Sequence, residues 1–191
     1  SLGVVITSEI CGIILTRIAT SAPQRAHELT GASLFSVAGN ATYQNAYTLF
    51  ILPYSLIAVS VSTAMFPKIS RSIAAANLDE ARHDLVSALN NVGLLIMFFA
   101  AAMVVFPEPI IRALLPSVSM DETMLISYAL IALSMGIPLG SAFLLIQRTF
   151  YAFEDGLHPF LSAVMQYGFT SVFMMIGMMV LPPEHWVLGI A

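Results

Sequence analysis

Long apolar runs broken by short polar punctuation dominate the chain, and they predict five membrane-crossing helices. The first covers about Leu2 to Ala19 and is ended by Ser21-Ala22-Pro23-Gln24-Arg25. The second covers about Ser36 to Phe66, which at 1.5 Å per residue reaches about 46 Å and exceeds a hydrocarbon core of about 30 Å. It must tilt, bend or project, and Pro53 supplies a bending point because it lacks a backbone donor and crowds the preceding turn. The third runs from Leu85 to Phe106, is closed by Pro107-Glu108-Pro109, and has a short apolar tail through Leu115. The fourth, Thr123 to Ile146, carries Gly136-Ile137-Pro138-Leu139-Gly140 at its middle, so Gly136, Pro138 and Gly140 mark a second deformable helix. The fifth, Phe160 to Leu181, follows Pro159 and halts at Pro182-Pro183. Nothing alternates like barrel strands, so the fold class is all-α, a polytopic membrane bundle.

The most polar segment, Lys68 to Asp84, lies between the second and third spans. Asn77 and Glu80 have capping-box spacing, and Leu78, Ala81, Leu85, Ala88 and Leu89 follow on one face. The pattern predicts one interfacial amphipathic helix lying at the membrane surface before the third span. With that connection cytoplasmic, Lys68, Arg71, Arg82 and Arg148 fall inside, and Arg25, Arg112 and Arg17 outside. This is a weak positive-inside bias.

Composition agrees with a membrane protein. Of 191 residues, 58% are hydrophobic and 9% charged, against about 25% charged in soluble domains, and the mean hydropathy is +0.87. A net charge of −4 leaves no basic footprint for nucleic acid. The single Cys11 excludes an intrachain disulfide and reads as a small buried hydrophobe. Ser1 already lies in a hydrophobic stretch, and a new one opens at Trp186-Val187-Leu188. The chain is therefore expected to be an excerpt, 1–191, of a longer transmembrane domain.

No enzymatic constellation is visible. His27, His83, His158 and His185 sit in four different connections without metal-ligand spacing, so neither a metal nor another cofactor is expected. The methionines of the fifth span lack Cys or His companions and read as packing or lipid-facing side chains. Polar groups inside the spans carry more information, because in a bilayer they must be paired or face water. Glu9, Gly12, Thr16 and Thr20 fall near one line of the first helix, with Arg17 on its flank. Ser36, Asn40, Tyr43 and Tyr47 share a face of the second, with Gln44 beside them. Two striped helices suggest a hydrated cavity between them. Pairing with neighbouring helices, with Arg17 snorkelling to the interface, is the alternative.

The run Asn45-Ala46-Tyr47-Thr48-Leu49-Phe50-Ile51-Leu52-Pro53, continued by Val59-Ser60-Val61-Ser62-Thr63-Ala64-Met65-Phe66-Pro67-Lys68-Ile69-Ser70-Arg71, resembles a signature of the MurJ (MviN) lipid II flippase family. Thr149-Phe150-Tyr151-Ala152-Phe153-Glu154-Asp155 with Pro159 is similar to a second motif of that family, and Leu15-Thr16-Arg17-Ile18-Ala19-Thr20 to a third. The resemblance implies a bacterial cytoplasmic (inner) membrane transporter of the multidrug/oligosaccharidyl-lipid/polysaccharide exporter superfamily. Such a protein is no enzyme. It has two six-helix lobes and two further helices, and this chain would supply helices seven to eleven and the start of twelve. Its substrate would be the undecaprenyl-pyrophosphate-linked peptidoglycan precursor, moved from the cytoplasmic to the periplasmic leaflet by alternating access, and the Lys68–Asp84 connection would be cytoplasmic. Membrane lipids and cell-wall synthesis proteins are the other implied partners. Thr48 and Ile51 stand where proteobacterial members carry an Arg and a Glu, so that charged pair is not carried over, and the version here is closer to actinobacterial members. The stretch Thr170 to Met174 does not match the sodium ligands of some members. Arg17 is then the expected attractor of the anionic head, Asn40, Tyr43, Gln44 and Tyr47 the hydrogen-bonding set, Pro53 the bend, and Glu9 the group for proton or cation coupling. The alternatives are a polysaccharide-lipid flippase or drug exporter of the same superfamily, and a non-transporting scaffold for cell-wall assembly.

Overall fold

A computed structural model describes residues 2–31, 33 and 36–190. The expected ends of the segment, Ser1 and Ala191, lie outside them. Helices follow one another as α1 (Leu2–Thr30), α2 (Asn40–Pro53), a π-helical turn (Tyr54–Val59), α3 (Ser60–Ala74), α4 (Leu78–Val105), α5 (Pro107–Leu114), α6 (Met120–Ala152), α7 (Leu157–Val180), a 3₁₀ turn (Pro183–His185) and α8 (Trp186–Ile190). There is no strand among the described residues. Five helical stretches are long and apolar enough to cross a membrane: Val5–Thr30, Asn40–Ala74, Leu78–Val105, Met120–Ala152 and Leu157–Val180.

The chain folds as two compact units. The first comprises Ser1–Leu49, Phe106–Leu133 and Phe160–Ala191; the second comprises Phe50–Val105 and Ser134–Pro159. In the first, α1 runs through Pro23, eleven residues beyond the expected end at Ala19, and stops at Gly31, whose φ of +71° closes the helix with a hydrogen bond to the His27 carbonyl. The surroundings of Pro23 are small. Ala19, Ala22 and Ala26 are fully buried, and Gly39 passes so close that a Cβ there would lie 3.2 Å from Pro23 Cγ. The C-terminal end of the chain packs on α1, where Trp186 Nε1 donates to the Leu181 carbonyl at 2.8 Å and Val187 is fully buried.

The core of the second unit is the α3–α4 hairpin. Ser62, Ile69 and Ser72 of α3 and Ala81, Asp84, Ala88, Val92 and Ile96 of α4 recur at helical spacing and are buried where the two helices pack. Such small side chains let two helices approach closely. The Ala76 and Asn77 N–H groups donate to the carbonyls of Ile73 and Ser72, a Schellman closure with Ala76 at φ 56°. Asn77 then caps α4, since the Glu80 N–H donates to its Oδ1 at 3.2 Å and its Nδ2 donates to Glu80 Oε2 at 2.9 Å.

The expected capping box is therefore present, but 68–84 holds no helix of its own. It is the close of α3 and the opening of α4. Ala81 and Ala88 are buried in the α3–α4 hairpin, Leu85 and Leu89 are half-buried and Leu78 is exposed. A short helix does form elsewhere, over the stretch read as an apolar tail, and that is α5.

Pro53 and Pro138 are handled differently. Directly after Pro53 the helix widens into the π turn Tyr54–Val59, one looser turn. Around Pro138 the α-helix is uninterrupted from Met120 to Ala152, with Gly136 and Gly140 inside it. Its 33 residues reach about 50 Å, so α6 tilts or projects beyond a bilayer core.

Candidate functional site

The first polar stripe lies open on α1. Glu9, Gly12, Ile13, Thr16 and Arg17 line a cleft of about 470 Å³, and Glu9, Thr16 and Arg17 are exposed. Gly12 contributes no bulk; a Cβ there would meet nothing within 4 Å. Glu9 and Arg17 are eight residues apart, about 12 Å along the axis, and form no ion pair among the described residues. The cleft thus presents an acid and a guanidinium separately, with a hydroxyl between them.

The second stripe divides. Ser36 precedes the helix and its hydroxyl donates to the Ser33 carbonyl, so α2 begins at Asn40, not at the expected Ser36. Tyr43 is buried and stacks on Tyr47, with centroids 6.0 Å apart and planes at 16°. Tyr47 and Gln44 are exposed, while Asn40 Oδ1 is buried with no hydrogen-bond partner. The described lining of the α1 cleft comes from α1 alone.

Two motif segments that are far apart in sequence meet in the second unit. Phe66, Ser70, Ile73 and Ala74 of α3 and Tyr151, Ala152, Phe153 and Glu154 at the end of α6 line a cleft of about 500 Å³. The α6 end is a second Schellman closure, with Glu154 at φ 58° and the Asp155 and Glu154 N–H groups donating to the carbonyls of Phe150 and Tyr151. Asp155 Oδ1 then accepts from the Leu157 and His158 N–H groups at the start of α7. Its other oxygen meets His158 Nδ1, and that ring stacks on Phe150 at 5.5 Å. These bonds, the His158 N–H foremost, hold the Asp155 carboxyl below its ordinary pKa.

One ion pair escaped sequence reasoning. Lys68 Nζ donates to Asp84 Oδ1 at 2.6 Å, with the carboxylate side chain 4% exposed and the lysine 53%. Sixteen residues separate the partners, so no local spacing announces them. Asp84 Oδ2 is buried without a partner, and His83 Nδ1 lies 3.9 Å from Oδ1. No group of His, Cys, Asp or Glu suited to a metal occurs among the described residues.

Residues 8–191 match the family model of the lipid II flippase MurJ. The chain belongs to the MurJ family. It is 29% identical over 120 residues to the "Probable lipid II flippase MurJ" of Rhizobium meliloti (strain 1021), covering 60% of this chain and 22% of that protein. To the "Lipid II flippase MurJ" of Thermosipho africanus (strain TCF52B) it is 29% identical over 126 residues, covering 63% of this chain and 25% of the relative. The chain thus spans about a quarter of the length of the curated relatives it matches. A solved structure titled "Lipid II flippase MurJ, inward closed conformation" superposes with a TM-score of 0.76 at 22% identity, over 98% of this chain and 37% of the other, and establishes the MurJ-like helical fold. The family is one of flippases, and the five long apolar helices of this chain make it a multi-pass membrane protein.

Proposed function

We propose that this chain is part of a lipid II flippase of a bacterial cytoplasmic membrane. The whole protein moves undecaprenyl-pyrophosphate-linked peptidoglycan precursor from the cytoplasmic to the periplasmic leaflet by alternating access, without covalent chemistry. The observation that carries this reading is the family match over 8–191, and the polar cleft on α1 gives it a physical form. Passing a pyrophosphate head through hydrocarbon costs many kcal/mol, so the head needs a polar route while the prenyl tail stays in lipid.

In this reading Arg17 attracts the pyrophosphate, because a guanidinium fork bonds phosphate oxygens two at a time. Thr16 offers a hydroxyl beside it, and Glu9, about two turns away, is the group for proton or cation coupling. Gln44 and Tyr47 are exposed and supply hydrogen bonds to the sugar-peptide part. Tyr43 acts through its stack on Tyr47, and Asn40 keeps an unused acceptor at the start of α2. The π turn after Pro53 is the hinge, since a loosened turn absorbs a change of direction at lower cost than a regular one. The uninterrupted α6 leaves Gly136, Pro138 and Gly140 a secondary place for bending. The turns at 75–77 and 153–156 face the cytoplasm.

Depleting the full-length protein tests the reading. Lipid-linked peptidoglycan precursor should accumulate on the cytoplasmic side of the membrane, and its periplasmic exposure should fall. Accumulation of a different polysaccharide-lipid, with peptidoglycan precursor still exposed, would assign the chain to another branch of the superfamily.

A further inference from the structure

The loop between α4 and α6 contains the eight-residue helix α5, which starts on Pro107 at its first position. Eight residues reach about 12 Å, far short of a bilayer core of about 30 Å, so α5 cannot cross. Its side chains sort into three faces at 100° per residue. Ile111 is fully buried, with Pro107 beside it half-buried. Ile110, Ala113 and Leu114 occupy a second arc, preceded in the same direction by Phe106; Phe106 and Leu114 are 59% and 52% exposed. Glu108 and Arg112 stand on the side opposite that arc, both exposed and one turn apart. Glu108 lies in the first turn and Arg112 in the last, each at the helix end that favours its charge.

A helix with one apolar face against protein, a second apolar face uncovered and a charged face opposite has the pattern of a segment lying in the plane of a membrane surface. Its place in the chain fixes the level, for α4 ends at Val105 and α6 begins at Met120, and both are membrane-spanning helices. In α6 the exposed Met120, Met124 and Tyr128 continue the same four-residue spacing of large apolar side chains into the span. We propose that α5 is a membrane-surface helix at the end of α4 remote from the α3–α4 turn, with Phe106, Ile110, Ala113 and Leu114 inserted among lipid acyl chains and Glu108 and Arg112 in the headgroup layer. The occupant of the uncovered face is lipid, because the face continues the exposed apolar surface of two spans: Val104 and Val105 lead into it from α4, and Met120, Met124 and Tyr128 carry on from it along α6. The inference rests on the spans α4 and α6 and not on which lipid-linked substrate is carried.

Collision accessibility of spin labels tests it in the full-length protein, in a background lacking other cysteines, reconstituted in phosphatidylethanolamine/phosphatidylglycerol vesicles. Labels at Leu114→Cys and Ala113→Cys should collide with oxygen several-fold more often than with a water-soluble nickel chelate. A label at Arg112→Cys should show the reverse. Ala113→Cys is an exposed small-residue change and reports on the face even if Leu114→Cys is poorly folded. Labels at 113 and 114 that are immobile and shielded from both reagents would mean that protein covers the face and would overturn the proposal. So would labels more accessible to nickel, which would put the face in water.

Discussion

Replacing Lys68 by Met removes the cation closest to a buried carboxylate and leaves it the exposed His83, whose Nδ1 is 3.9 Å from Asp84 Oδ1. Asp84 is 4% exposed at its side chain, its Oδ1 is 2.6 Å from Lys68 Nζ, and its Oδ2 has no partner. A charge-assisted hydrogen bond contributes about 1.5–3 kcal/mol, and stranding a fully buried charge costs about 3–5 kcal/mol. Lys68 is 53% exposed, so water screens its half of the pair and the loss falls to about 2 kcal/mol. Asp84→Asn keeps an acceptor for the ammonium and should cost about 1 kcal/mol. The double variant Lys68→Met/Asp84→Leu removes both charges from a packed hairpin and should be less destabilised than the sum of Lys68→Met and Asp84→Leu. The assay is a double-mutant cycle by equilibrium unfolding of the full-length protein in mixed micelles. A cost below about 0.5 kcal/mol for Lys68→Met, with additive energies in the cycle, would refute the claim that the pair pins α3 to α4.

Three further outcomes follow from the turns and close contacts. Gly39→Ala puts a Cβ 3.2 Å from the ring of Pro23, which is fixed within α1 and cannot retract, so it should destabilise by about 1 kcal/mol despite the entropy gained over glycine; an unchanged or raised Tm would contradict this. Ala76→Gly relieves a left-handed residue at φ 56° and should stabilise the hairpin by about 0.5–1 kcal/mol, read as a higher unfolding midpoint. The Asp155 carboxyl is held below its ordinary pKa by the His158 N–H, so its contribution is fully present above the unfolded carboxylate value near 3.9 and is lost as pH falls through the lowered folded value. Wild type minus Asp155→Asn should show that loss in a stability profile between pH 5 and 2, and a flat difference would remove the capping role.

How much of this was legible in the sequence depends on the range over which each feature is encoded. The five spans and the Asn77–Glu80 cap are local, carried by apolar runs and by three-residue spacing, and they appear as expected. The extension of α1 through Pro23 was hidden because proline normally ends a helix. Neither Schellman closure contains glycine, so Ala76 and Glu154 gave no turn signal. The amphipathic pattern after Asn77 was real, yet amphipathicity does not say what covers the apolar face; here it is α3. The cap of α6, in which Ser119 and Glu122 bond each other's backbone N–H, has a readable spacing that was overlooked. In the candidate site the exposed stripe of α1 was legible from periodicity, whereas the burial of Tyr43 depended on packing that no helical wheel contains.

In the proposed transport cycle the cleft on α1 handles a pyrophosphate-bearing lipid through Arg17. The most direct measurement is periplasmic exposure of lipid-linked precursor in cells whose only full-length copy carries Arg17→Lys or Arg17→Gln, with expression matched. Exposure should fall strongly with Gln and partly with Lys, because lysine offers a point charge where arginine offers a fork, and insertion should be intact in both since neither adds a charge. Wild-type exposure with Arg17→Gln would contradict the account and leave Arg17 an anchor at the membrane interface.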